Sequence, residues 1–430
     1  MNTAPSVGEE SAVPDVESNV ENEVENEVEI NRRHENEQRY IQRDDAVYLR
    51  VTLSFFAVGL ATFALLYFVQ PILPILSEEF NVSPASSSLA LSLSTGMLSL
   101  GLLITGPLSD ALGRKNVMVI SLATAAIFTL LSTVVTSWNG LLVVRALIGL
   151  SLSGVAAVAM TYLSEEIHPS YVALSIGLYV SGNSLGGMSG RLITGVIADH
   201  FPWRFAVILL GSFALIAAIA FWKMLPPSKN FRSSSLKPNT LFINLKLHFR
   251  DQGLPLLFAE AFLLMGCFVT MFNYIGYRLL EAPYHFNQTI IGLLSVVYLT
   301  GTYSATKAGV LTNKYGRGKV LLVAISMMLI GGFITICSSI WAVMFGMMVL
   351  TTGFFAAHSV ASGWVGWRAK RAKAQASSLY LFCYYAGSSV AGTLGGVFWL
   401  HFQWNGVAIF MSLLTIIALY LGLKLNKLEK

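Results

Sequence analysis

The chain predicts an all-α polytopic membrane protein: twelve transmembrane helices arranged as two six-helix bundles related by an internal repeat. Three observations carry this. Of 430 residues, 54% are hydrophobic and only 12% charged, where a soluble chain has about a quarter charged. Beyond the first fifty residues, apolar stretches recur at roughly 51–76, 86–108, 116–135, 140–163, 171–197, 205–225, 254–275, 288–309, 319–339, 341–362, 376–400 and 406–424. Each is long enough to cross a ~30 Å hydrocarbon core as a helix. None shows the ten-residue alternation of a barrel strand. Finally, Gly106-Pro-Leu-Ser-Asp110-Ala-Leu-Gly113-Arg114-Lys115 and Gly309-Val-Leu-Thr-Asn313-Lys314-Tyr-Gly316-Arg317-Gly318 are versions of one loop set 203 residues apart.

Composition divides the chain further. Residues 1–50 carry 13 Asp/Glu against five Lys/Arg, with a Glu/Asn/Val repeat from Glu21 to Glu29. They are expected to form a disordered acidic tail, with no signal or transit peptide pattern. The first bundle spans 51–225, a basic linker 226–253, the second bundle 254–424, and a short terminus 425–430. With both termini cytoplasmic, inner segments beyond residue 50 hold 18 Lys/Arg and outer loops two, Arg204 and Arg278. That asymmetry is the positive-inside pattern. The basic excess reads as anchoring to the lipid bilayer, not as nucleic-acid binding. Cys267, Cys337 and Cys383 lie far apart in apolar segments and read as small buried hydrophobes.

The repeat extends to His200-Phe-Pro-Trp203 and His401-Phe-Gln-Trp404, and to Gly182–Gly187 and Gly387–Gly392. Two parallel six-helix halves with a site between them suit alternating access by rocking, so a small-molecule substrate is expected. No phosphate-binding Gly-x(4)-Gly-Lys loop, HExxH or Gly-x-Ser-x-Gly motif is present, which argues against an ATP-driven pump or an enzyme. No metal or cofactor is expected, and the chain is read as a monomer.

The loop from Gly106 to Lys115 resembles the signature Gly-x-Leu-Ala-Asp-Arg-x-Gly-Arg-Lys of the major facilitator superfamily, and the resemblance runs through all twelve segments. It implies a conformational latch formed by Gly106, Asp110, Gly113, Arg114 and Lys115, with a second copy at Gly309, Asn313, Lys314, Gly316 and Arg317. Ala111 replaces the usual Arg, and Asn313 the acid, so the second latch is weaker. Leu141-x-x-x-Arg145-x-x-Ile148-Gly149 is similar to a second signature, whose Arg is linked to proton coupling. Gly182, Asn183, Gly186, Gly187 and Arg191 resemble the fifth-helix antiporter motif, with Asn183 in place of its proline. These glycines equally suit close helix packing. More narrowly, the chain resembles bacterial inner-membrane transport proteins of the drug- and sugar-efflux-like branch. The implied activity is proton-coupled export, with uptake, an uncoupled facilitator or a non-transporting sensor as alternatives.

Ionisable residues at membrane depth are costly and mark functional positions. Here they are Arg145, Arg191, Glu260, Lys307 and His358. Glu260 is the one core acid and the candidate proton site, with a structural pair to Lys307 as the alternative; His358 is a candidate relay or a hydrogen-bonded core histidine. Arg145 and Arg191 share the outer half of the first bundle without an acid, which favours a neutral or anionic substrate over a lipophilic cation. Tyr67, Gln70, Asn273, Tyr274, Tyr277, Tyr384 and Tyr385 are candidate pocket residues, beside a bend at Pro71-x-x-Pro74 and a break at Gly276.

Overall fold

A computed structural model describes residues 40–231 and 238–429; the predicted tail lies outside them apart from 40–50. The helices are α1 (Ala46–Tyr67), α2 (Leu73–Glu79), α3 (Pro84–Leu112), α4 (Arg114–Leu131), α5 (Trp138–Glu166), α6 (Pro169–His200), α7 (Trp203–Met224), α8 (Pro238–Arg250), α9 (Leu254–Leu280), α10 (Gln288–Leu293), α11 (Tyr298–Tyr315), α12 (Arg317–Ile334), α13 (Ile340–Arg368) and α14 (Lys373–Glu429). Among the described residues, ten helices are long and apolar enough to cross a membrane, counting α10–α11 as one. One of them, α14, turns at Gln403 (φ 51°) and supplies two spans. The Gly- and Ser-rich α6, 32 residues long, completes the twelve. Large side chains such as Ile216, Trp222, Val310 and Ile330 are exposed on the outside of the bundles, where lipid would cover them.

In lipid the hydrophobic effect does not hold helices together, so close contact must come from small residues. The sequence supplies them twice, at matching places. On α6, Gly182, Gly186 and Gly190 meet the α1 backbone at Phe56, Leu60 and Ala64. A Cβ on Gly182 or Gly186 would lie 2.3 or 2.2 Å from the facing carbonyl oxygen. In the second bundle, α14 meets α9 in the same way. A Cβ on Gly387 would lie 2.1 Å from Phe262 O, Ala391 packs on Gly266, and Gly395 packs on Thr270. The duplication seen in the loops is thus repeated in the packing.

Both latch loops turn at a glycine with positive φ, Gly113 at 89° and Gly316 at 86°, a conformation that costs a Cβ-bearing residue. The repeated Trp loops are also tied alike. Trp203 Nε1 donates to Glu79 Oε2 (2.6 Å) and Trp404 Nε1 to Thr335 O (3.0 Å).

Several expectations change. Helix α1 begins at Ala46, not residue 51, and Ile41 bridges to Ile167, so 40–50 belong to the fold and not to the tail. The linker contains α8. Helix α9 runs through Gly276 without a break; the interruption falls in the eighth span, where a 3-10 turn (Leu294–Val297) separates α10 from α11. Cys337 is exposed in the turn after α12, where Arg278 binds the neighbouring carbonyls.

The two bundles touch through α3–α14 and α6–α10. Cross-bundle hydrogen bonds join Ser77 and Ser87 to Tyr277, Ser92 to Ser389 and Thr393, and Asp199 to Thr289. All lie in the half away from the chain termini. Gly195 and Gly292 let α6 and α10 meet there backbone to backbone. Among the described residues, no cross-bundle hydrogen bond lies nearer the termini than Ser184–Thr302. The hydrogen bonds between the bundles thus gather in the half away from the face that carries the termini, called here the terminal face.

Gly186→Ala is expected to push α1 from α6 and cost about 1–3 kcal/mol, lowering the melting temperature of the purified protein. Gly177→Ala, whose Cβ would meet nothing, should melt close to wild type. Equal melting for both variants would contradict the packing account.

Candidate functional site

The site starts from a broken helix. Pro71 has no N–H and cannot continue α1, so the chain turns through Phe68–Ile72 before α2 begins. The last carbonyls of α1 then lack helical donors, and at this depth no water replaces them. Arg145 of α5 supplies them: Nη1 donates to Leu65 O (3.1 Å) and Nη2 to Leu66 O (2.9 Å), while Nε donates to Ala90 O (2.6 Å). Its guanidinium also lies over Phe68. A cation at a helix C-terminus is favourable in itself. Arg145, fully buried, is thus spent on holding α1 and α3.

Arg191 sits on the other side of the same turn. Its Nε donates to Gln70 Oε1 (2.6 Å) and its Nη1 to Gly187 O (2.5 Å). Three rings surround the guanidinium carbon, with centroids at 4.6 Å (Tyr67), 4.8 Å (Tyr298) and 5.3 Å (Phe272). Nη2 and the Tyr67 hydroxyl are buried without a hydrogen-bond partner. The groups acting on Arg191 electrostatically are tyrosines, Tyr298, Tyr67 and Tyr384, and no ion pair to it occurs among the described residues. Gln70 continues the chain across the bundles: its Nε2 donates to Asn273 Oδ1 (2.7 Å), and Asn273 Nδ2 to Gly392 O (3.4 Å).

Of the predicted pocket residues, Tyr67, Gln70, Asn273, Tyr384 and Tyr385 gather here, Tyr384 and Tyr385 interacting with Tyr67. Tyr274 and Tyr277 do not. They stack with Trp399 and bond to Gly392 O, Ser77 and Ser87 in the sealed half. Asn183 lies against α1 at Gly59, so the fifth-helix motif divides, its glycines packing on α1 and Arg191 facing the second bundle. Tyr298 and Phe272 were not picked out from the sequence. One aromatic among the 12% in the chain carries no signal until the fold places it.

Glu260 is wholly buried inside the second bundle, and both carboxyl oxygens lack a hydrogen-bond partner. The pair with Lys307 does not form: Lys307 lies over Tyr303, 5.6 Å from its centroid. Instead Glu260 interacts electrostatically with Tyr380, whose hydroxyl is 3.0 Å from His358 Nδ1. His358 in turn packs on Tyr384, centroids 4.6 Å apart. A line of aromatic groups therefore runs from Glu260 by Tyr380, His358 and Tyr384 to the rings around Arg191.

At the terminal face Arg114 pairs with Asp110 and with Glu165, whose Oε1 is 2.9 Å from Nη2. Lys115 donates to Leu225 O. In the second copy, where Asn313 replaces the acid, Glu429 caps the start of α12: its carboxylate accepts from the backbone N–H groups of Arg317 (2.8 Å) and Gly318 (2.6 Å), and its Oε1 lies 3.8 Å from Arg317 Nη1. Gly106 and Gly309 face open space. Glu165 and Glu429 were missed because each lies far along the sequence from the loop it serves.

These features match known proteins. The Major Facilitator Superfamily profile covers residues 52–305. The chain is 64% identical over 389 residues to the inner membrane transport protein YnfM of Escherichia coli K12, covering 90% of this chain and 93% of that one. It is 42% identical to the uncharacterized transporter YybF of Bacillus subtilis 168, covering 89% and 95%. Among solved structures, a bacterial homologue of the lysosomal transporter Spinster, inward-facing and occupied, superimposes with a TM-score of 0.72 at 13% identity, covering 89% and 98%. The nucleoside transporter NupG does so with 0.70 at 12% identity, covering 89% and 100%. At that identity the two structures speak for the fold alone. The chain belongs to the major facilitator superfamily and is a multi-pass inner-membrane transporter of small molecules, not an enzyme.

Proposed function

We propose that the protein exports a small organic solute in exchange for protons, by alternating access, with the terminal face in the cytoplasm. The observation that carries this reading is Glu260, a carboxyl with no partner in an apolar interior. Ionising such a group unpaired costs several kcal/mol, so proton binding and release there are tied to whether the bundle lets water or a cation in. The line through Tyr380 and His358 to the rings at Arg191 supports communication between that acid and a substrate in the cleft. Lys/Arg asymmetry supports the orientation, which makes the described state inward-facing.

The Asp110 loop fits a latch in its released position. Asp110 pairs with Arg114 inside its own bundle while the terminal face is open. Helix α3 already packs on α14 in the sealed half. Rocking the terminal halves together brings Asp110 toward the start of α14, where unpaired helix N–H groups favour a carboxylate.

Two substitutions test the reading in proteoliposomes, using a solute from the pool that accumulates in cells lacking the protein. Glu260→Gln should abolish accumulation driven by a pH gradient while retaining folding and counterflow. A variant that concentrates solute as well as wild type removes Glu260 from coupling; flux indifferent to pH in the wild type indicates a facilitator, and no flux a sensor. Asp110→Asn should lower transport at near-normal protein levels and raise labelling of cleft cysteines from the cytoplasmic side. Unchanged labelling from both sides would contradict the latch.

A further inference from the structure

The proposal above leaves the solute unnamed; the surroundings of Arg191 narrow it. We infer that the cleft binds a small aromatic monocarboxylate, whose carboxylate is received by Arg191 Nη2 and the Tyr67 hydroxyl and whose ring lies among Phe272, Tyr298 and Tyr384.

Arg191 is 2% exposed and Tyr67 4%. Each holds one polar group with no partner. Buried donors are normally satisfied, and a buried cation is normally paired. Arg145, in the neighbouring span, obeys the rule with three backbone acceptors. Arg191 does not: Gln70 and Gly187 take Nε and Nη1, Nη2 makes no hydrogen bond of good geometry, and the phenol beside the guanidinium, Tyr298, brings no negative charge. The two unsatisfied groups are neighbours, since the guanidinium carbon lies 4.6 Å from the Tyr67 centroid. One carboxylate can accept from both, as a charge-assisted hydrogen bond from the guanidinium and another from the phenol.

The charge count sets the valence. One unpaired cation neutralises one negative charge. A dicarboxylate would bury a second charge with no partner, and an amino acid would bring its ammonium beside Arg191 with no acid to meet it. The walls set the shape. Phe272 and Tyr298 are packed edge to face with centroids 5.4 Å apart, and Phe354 and Tyr384 continue the aromatic surface at 6.3 Å. Flat rings pack well against such faces. Access follows from the alternating-access reading, in which parting of the terminal halves leads from the terminal face to Gln70 and Arg191.

The inference rests on the transporter reading, yet its test needs no gradient. Benzoate, benzamide, terephthalate and benzyltrimethylammonium are titrated by calorimetry into the full chain in lipid nanodiscs. Benzoate should bind, and the other three at least tenfold more weakly. Arg191→Lys should weaken benzoate at least tenfold. Tyr67→Phe, which deletes only the hydroxyl and is the informative variant if the lysine protein does not fold, should weaken it about threefold or more. Gly177→Ala, whose added Cβ meets nothing, should bind benzoate like wild type. No benzoate binding at millimolar concentration, equal binding of benzamide, or full affinity in both Arg191→Lys and Tyr67→Phe would overturn the assignment. Loss of coupling in Glu260→Gln would stand regardless, so failure of the anion site and failure of the exchange reading are told apart.

Discussion

The break in α1 at Pro71 is the constraint on which the rest of the site depends. A backbone carbonyl at membrane depth must find a donor inside the protein, and stopping a helix there strands several. Arg145 is buried to meet that demand. The same turn directs Gln70 across to Asn273 and places Tyr67 over Arg191. One residue without an N–H thus fixes a structural cation, a bridge between bundles and one wall of the cleft.

Around this point the duplicated chain is built from equivalent contacts put to different ends. Glycine stripes on α6 and α14 bring them against α1 and α9 at equivalent positions, as expected where small residues, not solvent exclusion, hold helices together. The charges break the symmetry. At membrane depth the first bundle keeps Arg145 and Arg191 and the second keeps Glu260 and His358. A cation at the cleft and an acid behind it are thereby held on separate bodies, joined by aromatic groups. Rocking of one body against the other can change the surroundings of both.

Much of this was legible in the sequence, and the limits are physical. Run length and composition specify spans because lipid thickness leaves little choice, and Pro71, Gly113 and Gly316 mark turns whose dihedral demands are local. The sequence places Arg145 and Arg191 in the outward half of the first bundle. Which of them is spent could not be read, because that depends on carbonyls of α1 and α3, 55 to 80 residues away in sequence. Lys307 was a reasonable partner for Glu260 by depth, but it sits on a different face of its span, against Tyr303. Tyr298 and Glu429 act through contacts made only in the folded chain. The Gly276 break failed for a plain reason: a single glycine costs about 1 kcal/mol in a helix, which packing readily overrides.

The central claim is that the bundles are sealed by the Gln70–Asn273 chain at one face and parted at the other, and that they exchange these positions. Spin-label distances in nanodiscs test it directly, using one pair at the terminal face (Leu112→Cys and Arg371→Cys) and one at the opposite face (Phe201→Cys and Trp341→Cys), with the native cysteines replaced. The account predicts a long terminal-face distance and a short opposite-face distance in the resting protein. When Gln70→Ala removes the bridge, the first should shorten as the second lengthens. Two distances that stay fixed, or that lengthen together, would contradict it.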